Sequence, residues 1–330
     1  MVVGPLKNSL QSALVIMIPA CLILFGLSVW TMPPDAAVNK LYPQHILYNY
    51  IDYRLSATWL IQTLNFLVIL IGAVAVNFLA INQEVVNKNN YLPAFLYMLF
   101  AFSANSNSFI HPALLANLCV LISLYFFMET YRLDHALSAL FKAAFFMGLS
   151  PFFYTEYLLL FPLCFMMLVI LRSFQWRDWG VTLLGFLLPL YLFMGISYLA
   201  GKDVWRIFTV FKETVESFQK PSVSEYFYPL LFMIIILVVL TLVSYVSKGF
   251  GPKVKTQKTK YILLWLFVLL SINIFIGNDS DFIFIANTIP LSILLADYLA
   301  EMKQLKIANT LLFLLLGGIA VIYLHKLSMI

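Results

Sequence analysis

The chain has 330 residues, of which 62% are hydrophobic and 11% charged, with a formal net charge of +5. A water-soluble domain carries roughly 25% charged residues, so this composition excludes one and makes the bilayer the solvent. The 30 Phe, 18 Tyr and 6 Trp against only 13 Gly exclude disordered and collagen-like chains, and the small, dispersed positive charge argues against nucleic-acid binding.

A membrane span needs about 20 apolar residues at 1.5 Å rise per residue. In chain order the sequence predicts spans over 12–31, 58–82, 91–110, 111–129, 136–150, 152–171, 179–199, 226–247, 261–277, 282–300 and 307–325. The expected fold is all-α, a polytopic transmembrane helix bundle of about 11 helices. The first run is long and has no small-residue cleavage site before Trp30, so it is expected to stay as an anchor. Cys21, Cys119 and Cys164 lie in apolar runs without CxxC or Cys/His spacing and read as core thiols. No metal site is expected, and no cofactor is identified.

The run 248–260, with Gly249, Gly251, Pro252 and its lysines, reads as a basic cytoplasmic linker. It separates a membrane body of about eight spans, 1–247, from a three-span segment, 261–330. Lys and Arg concentrate on the side of this linker, which favours a cytoplasmic N-terminus. The same parity sends Asp35, Asp52, Asp203, Glu213, Glu216, Glu225, Asp279 and Asp281 to the outer face. Two outer segments are long. In 32–57, Leu41, Tyr42, Ile46, Leu47, Tyr50 and Ile51 recur at helical spacing, and in 201–225 so do Val204, Ile207, Phe208, Phe211, Val215 and Phe218. Both are expected to lie in the outer interface as amphipathic segments, the second ending at Pro221.

The candidate catalytic residues are Asp35, beside Pro33 and Pro34, and Asp52, among aromatics of the same outer loop. An acid fixed at the membrane surface suits a general base for an acceptor hydroxyl; an ordinary interfacial acid is the alternative at both positions. Arg54, Lys202 and Arg206 fall on the same face and could hold a phosphate. Glu156 lies one turn into an apolar run, where a carboxylate is expensive and faces a cavity or a partner, with Lys142 the available cation. The polar run Ser103, Asn105, Ser106, Asn107, Ser108 and His111 either breaks its helix or lines a wet cavity, because unsatisfied amides in hydrocarbon cost several kcal/mol. His111 could exchange protons there or serve as a hydrogen-bonded loop residue. Arg172, Trp176, Arg177, Asp178 and Trp179 suit headgroup anchoring, and Asp297 reads as a helix-terminal acid near the headgroups. No HExxH, GxSxG or Walker loop occurs, so hydrolase, NTPase and metalloprotease readings have no motif.

The pattern Gly-Leu-Ser-Pro-Phe-Phe-Tyr at 148–154, Leu-Arg-Ser-Phe-Gln-Trp-Arg-Asp-Trp at 171–179 and Leu-Leu-Gly-Phe-Leu-Leu-Pro at 183–189 resembles an uncharacterised family of Bacteroidota polytopic inner-membrane proteins. That resemblance implies a location and no activity. In layout the chain more distantly resembles the C-type polyprenyl-phosphate-sugar-dependent glycosyltransferases, which implies an outward acid, here Asp35 or Asp52, and a lipid-linked sugar donor. Three functions follow as expectations: such a transferase at the outer face; a non-catalytic scaffold docking envelope protein subunits; and a transporter using Glu156, Lys142 and the 103–111 run. Membrane lipids are partners in all three.

Overall fold

The computed structural model describes residues 3–8, 10–30, 47, 58–104, 110–133, 135–201, 204–216, 228–248, 251, 253–272, 282–302 and 304–328. Most of these residues are helical, and no strand occurs among them. In order they form α1 (Val3–Asn8), α2 (Leu10–Trp30), α3 (Thr58–Asn82), α4 (Leu92–Ala104), α5 (Pro112–Glu129) and α6 (Leu137–Phe153). A 3-10 turn (Thr155–Leu160) leads into α7 (Phe161–Leu171), followed by α8 (Trp176–Leu199) and α9 (Arg206–Glu216). The chain finishes with α10 (Tyr228–Lys248), α11 (Val254–Ile272), α12 (Phe282–Glu301) and α13 (Leu305–Ser328). Among the described residues four stretches are long and apolar enough to cross a membrane: Leu60–Asn82, Pro112–Glu129, Trp176–Leu199 and Leu305–Leu324.

Helix ends follow local chemistry. α3 closes with Glu84 in the left-handed region (φ 57°), its N–H donating to Ile81 O and that of Val85 to Ala80 O, both at 3.0 Å, which satisfies the last carbonyls. α5 opens with Pro112 in its first turn, where a missing N–H is harmless. The predicted run 152–171 is not one helix: Pro151 lies near the end of α6, Tyr154 is extended, and the chain resumes as the 3-10 turn before α7 opens at Phe161 with Pro162 in its first turn. α11 starts at Val254, so the second half of the run read as a linker is helical.

α4 and α12 lie at the centre, buried on nearly every side, as helices apolar all round must be. α12 packs chiefly on α4 and also on α3, α5, α10 and α11; α6 packs on α5 and α8. The α6–α8 crossing is close because glycines face each other's backbone. A Cβ on Gly148 would collide with the Phe186 carbonyl, and one on Gly185 would sit 2.8 Å from the Phe141 carbonyl oxygen. Around this centre α2, α3, α8, α10 and α13 expose apolar rows such as Val15, Val74, Tyr191, Val243 and Leu324, the surface that hydrocarbon would cover.

The two ends of the bundle differ. At one end Lys253 Nζ meets Glu84 Oε2 at 2.6 Å, Lys255 donates to Asn82 O and Lys258 to Leu171 O, while Arg172 reaches Thr130 O and Leu133 O. Lys7 donates to Ala300 O there, and Tyr91 N–H to Leu6 O. This is a lysine-rich layer tying the loops after α3, α5, α7 and α10 together. At the other end Leu47 N–H donates to Phe152 O at 3.0 Å, and α9 packs on the 3-10 turn.

Candidate functional site at the end opposite the lysine layer

The break between α6 and α7 places four polar or aromatic residues, Tyr154, Thr155, Glu156 and Tyr157, under α9. All four are buried. Thr155 Oγ1 donates to Glu156 Oε2 at 3.1 Å, giving the carboxylate a local donor. The Tyr157 hydroxyl donates to Asn117 Oδ1 at 2.5 Å, and the Asn117 amide donates in turn to Ile285 O (2.8 Å) and to Thr288 Oγ1 (3.2 Å). One amide thereby joins α5, α12 and the 3-10 turn through polar groups that hydrocarbon would otherwise leave unmatched.

His111 stands on the same side of this cluster. Its ring stacks on Tyr154 at 6.0 Å between centroids, and Tyr154 meets Tyr157 edge-on at 5.7 Å. His111 Nδ1 accepts the Ala113 N–H at 3.2 Å as the N-cap of α5, so the proton of the neutral ring resides on Nε2. His111 and Glu156, singled out from sequence, are thus joined through Tyr154 and Thr155.

Of the other predicted site residues, Asp35, Asp52, Arg54 and Lys202 lie outside the described residues. Arg206 opens α9, and its side chain also lies outside them. The cation paired with Glu156 from sequence does not reach it: Lys142 is exposed, its ammonium 5.6 Å from the centroid of the Phe126 ring. α9 buries Ile207 and Val210 against the bundle, whereas Phe208, expected on the membrane-hugging face with Ile207, is exposed and packs 5.7 Å from Trp205. Of the polar run 103–111, Asn105, Ser106, Asn107 and Ser108 lie outside the described residues; α4 ends at Ala104, and Ser103 Oγ donates to Phe100 O.

The opposite end holds a second charged cluster that the sequence reading missed. Lys260 Nζ lies 2.6 Å from Asp297 Oδ2 and 3.7 Å from Glu301 Oε1. The Tyr245 hydroxyl donates to the same Asp297 oxygen at 2.7 Å, and its ring lies 4.5 Å from the ammonium. Asp297 is therefore no headgroup acid, and Lys260 no linker lysine; both are inside the bundle. The available signal was the buried stripe Thr256, Lys260, Leu263, Leu266 and Leu270, which puts Lys260 on the inward face of α11. Arg172 is likewise no headgroup anchor, since it is fully engaged with Asp178 Oδ2 at 2.7 Å and the two loop carbonyls. The three cysteines are free and buried.

The chain belongs to a family of unknown function (DUF6427), matched over residues 44–330. This agrees with the resemblance to an uncharacterised family and carries no information on source organism or sugar transfer. No curated protein and no solved structure matches the chain.

Proposed function

We propose that the protein is a multi-pass inner-membrane protein of about 11 spans, with its N-terminus and lysine layer cytoplasmic and a glycosyltransferase-like site at the outer face. The observation that carries the reading is that Leu47, from the segment bearing Asp35 and Asp52, and α9, from the segment bearing Lys202 and Arg206, both fasten to the end holding Glu156 and His111. In this reading the candidate groups share that interface.

In this reading a polyprenyl-phosphate-linked sugar enters from the membrane. Asp35 or Asp52 removes the proton of an acceptor hydroxyl as its oxygen attacks the anomeric carbon. The bond from that carbon to the phosphate oxygen breaks, and the polyprenyl phosphate leaves as an anion held by Arg54, Lys202 or Arg206. Glu156 and His111 border the sugar as binding groups.

The test uses proteoliposomes loaded with a radiolabelled polyprenyl-phosphate hexose and cell-envelope extract as acceptor source. Transfer is expected with the wild-type chain and absent from the Asp35→Asn, Asp52→Asn double variant at equal folded yield. Equal transfer by both chains would overturn the proposal, and wild-type inactivity with stably co-purifying envelope proteins would favour the scaffold instead.

A further inference from the structure

α5 opens on an imidazole. His111 has extended backbone, its Nδ1 accepts the Ala113 N–H at 3.2 Å, and its carbonyl accepts the Leu114 N–H at 2.9 Å. The hydroxyl of Ser or Thr, or the amide oxygen of Asn, ordinarily fills this capping role and accepts at any ordinary pH. An imidazole accepts only while neutral, because the imidazolium carries a proton on both nitrogens and keeps no lone pair for the Ala113 N–H. Histidine changes charge near about pH 6.5, so this cap is present or absent according to the acidity around it.

The surroundings decide what a charged ring would meet. His111 is buried, and the helix end it caps has partial positive charge. Three helices pack on α5. α3 has no ionisable side chain, while α6 brings Lys142, and α12 brings Asp297, Tyr298 and Glu301, all toward the lysine-rich end. The turn beside His111 supplies Tyr154, Glu156 and Tyr157, and α9, packed on that turn, carries Arg206, Lys212, Glu213 and Glu216, of which Lys212 and Glu213 are exposed. Glu156 is the buried carboxylate at this end among the described residues.

We infer that His111 is a proton-operated latch: neutral, it caps α5 and stacks on Tyr154; protonated, it releases the Ala113 N–H and turns its charge toward Glu156. More than one bond depends on it. Tyr154, whose ring lies 6.0 Å from the imidazole between centroids, is the extended residue that starts the 3-10 turn. That turn supports α9 and, through Tyr157, holds the Asn117 amide further along α5. Acidity at this end of the bundle is thereby passed to the turn beneath α9. The latch goes beyond the transferase reading and does not depend on it, since it needs neither sugar nor phosphate.

The experiment is hydrogen exchange of the full chain in neutral detergent, resolved to single helix turns by fragmentation mass spectrometry, at about pH 8 and about pH 5, either side of the ordinary histidine value. Protection is measured against the intrinsic exchange rate at each pH. In the wild-type chain the first turn of α5 is expected to lose protection about fivefold on acidification, the worth of one cap. His111→Asn supplies an oxygen that accepts at both pH values and should stay protected at both, whereas His111→Ala has no acceptor and should be equally weak at both. The first turn of α8, whose Gln175 makes no side-chain cap bond, is the control and should not respond. A wild-type chain equally protected at the two pH values would overturn the inference. So would a loss of the same size in His111→Asn, or an equal loss at α8.

Discussion

Lys260 Nζ lies 2.6 Å from Asp297 Oδ2, and neither side chain is more than 4% exposed. Two charges are therefore held inside an apolar bundle, where each is tolerable only because the other is present. Removing the cation alone leaves Asp297 with Tyr245 as its hydroxyl donor and without its nearest counter-charge. We expect Lys260→Met to lower stability by about 3–5 kcal/mol, and the Lys260→Met, Asp297→Leu pair to recover most of that loss. Thermal unfolding of both variants in detergent measures the difference.

The crossing of α6 over α8 depends on Gly148. Adding even a methyl there drives it into the backbone carbonyl of Phe186, which cannot rotate aside. Gly148→Ala should destabilise by about 1–3 kcal/mol, the usual cost of overpacking. Gly180→Ala, with nothing within 4 Å of the added Cβ, is the matched control and should be neutral or slightly stabilising. Equal melting temperatures for the two variants would refute the close contact.

Arg172 donates from Nε to Asp178 and from a terminal nitrogen to Thr130 O and Leu133 O. A lysine keeps the charge and loses the planar fork. Arg172→Lys should therefore cost about 1.5–3 kcal/mol, as lost charge-assisted hydrogen bonds do, and should speed proteolysis at the loop after α5. Limited digestion followed by fragment mapping reads this directly.

Glu84 gives a pH signature outside the spans. The Lys253 ammonium, 2.6 Å away, holds its carboxyl below the ordinary value of 4.5. A carboxyl lowered on folding contributes stability that is fully present above its ordinary value and lost as pH falls through the lowered one. The melting temperature of the wild-type chain should exceed that of Glu84→Gln slightly at neutral pH, and the gap should close on acidification below 4.5. A gap that widens in acid contradicts the pairing.

Sidedness has a direct check. The native cysteines are buried and contribute little background to thiol labelling. Lys253→Cys and Trp205→Cys place exposed thiols at the two ends of the bundle. An impermeant maleimide added to intact cells should label the Trp205 position, and the Lys253 position only after lysis. The reverse pattern would remove the outer-face site.

The helices were legible because the bilayer imposes its demand on single segments. A run such as 58–82 must be apolar and must satisfy its own backbone, so composition alone delimits α3. What stayed hidden depends on residues meeting across the chain. Hydropathy cannot tell that Lys260 turns inward toward Asp297, nor that the solitary Asn117 finds Tyr157 and Thr288. Arg172 was misread because two of its partners are backbone carbonyls, which carry no residue signature. Glu156 and His111 were found because a carboxylate and an imidazole inside apolar runs are conspicuous, while the turn that joins them needed the extended backbone at Tyr154.

The central position of α12 also governs how the protein is made. The Asn117 amide finds its acceptors at Ile285 and Thr288, 168 and 171 residues further along the chain. Ribosomal synthesis delivers α4 and α5 long before α12, so the faces they turn toward it stay uncovered until residues 282–301 have been made.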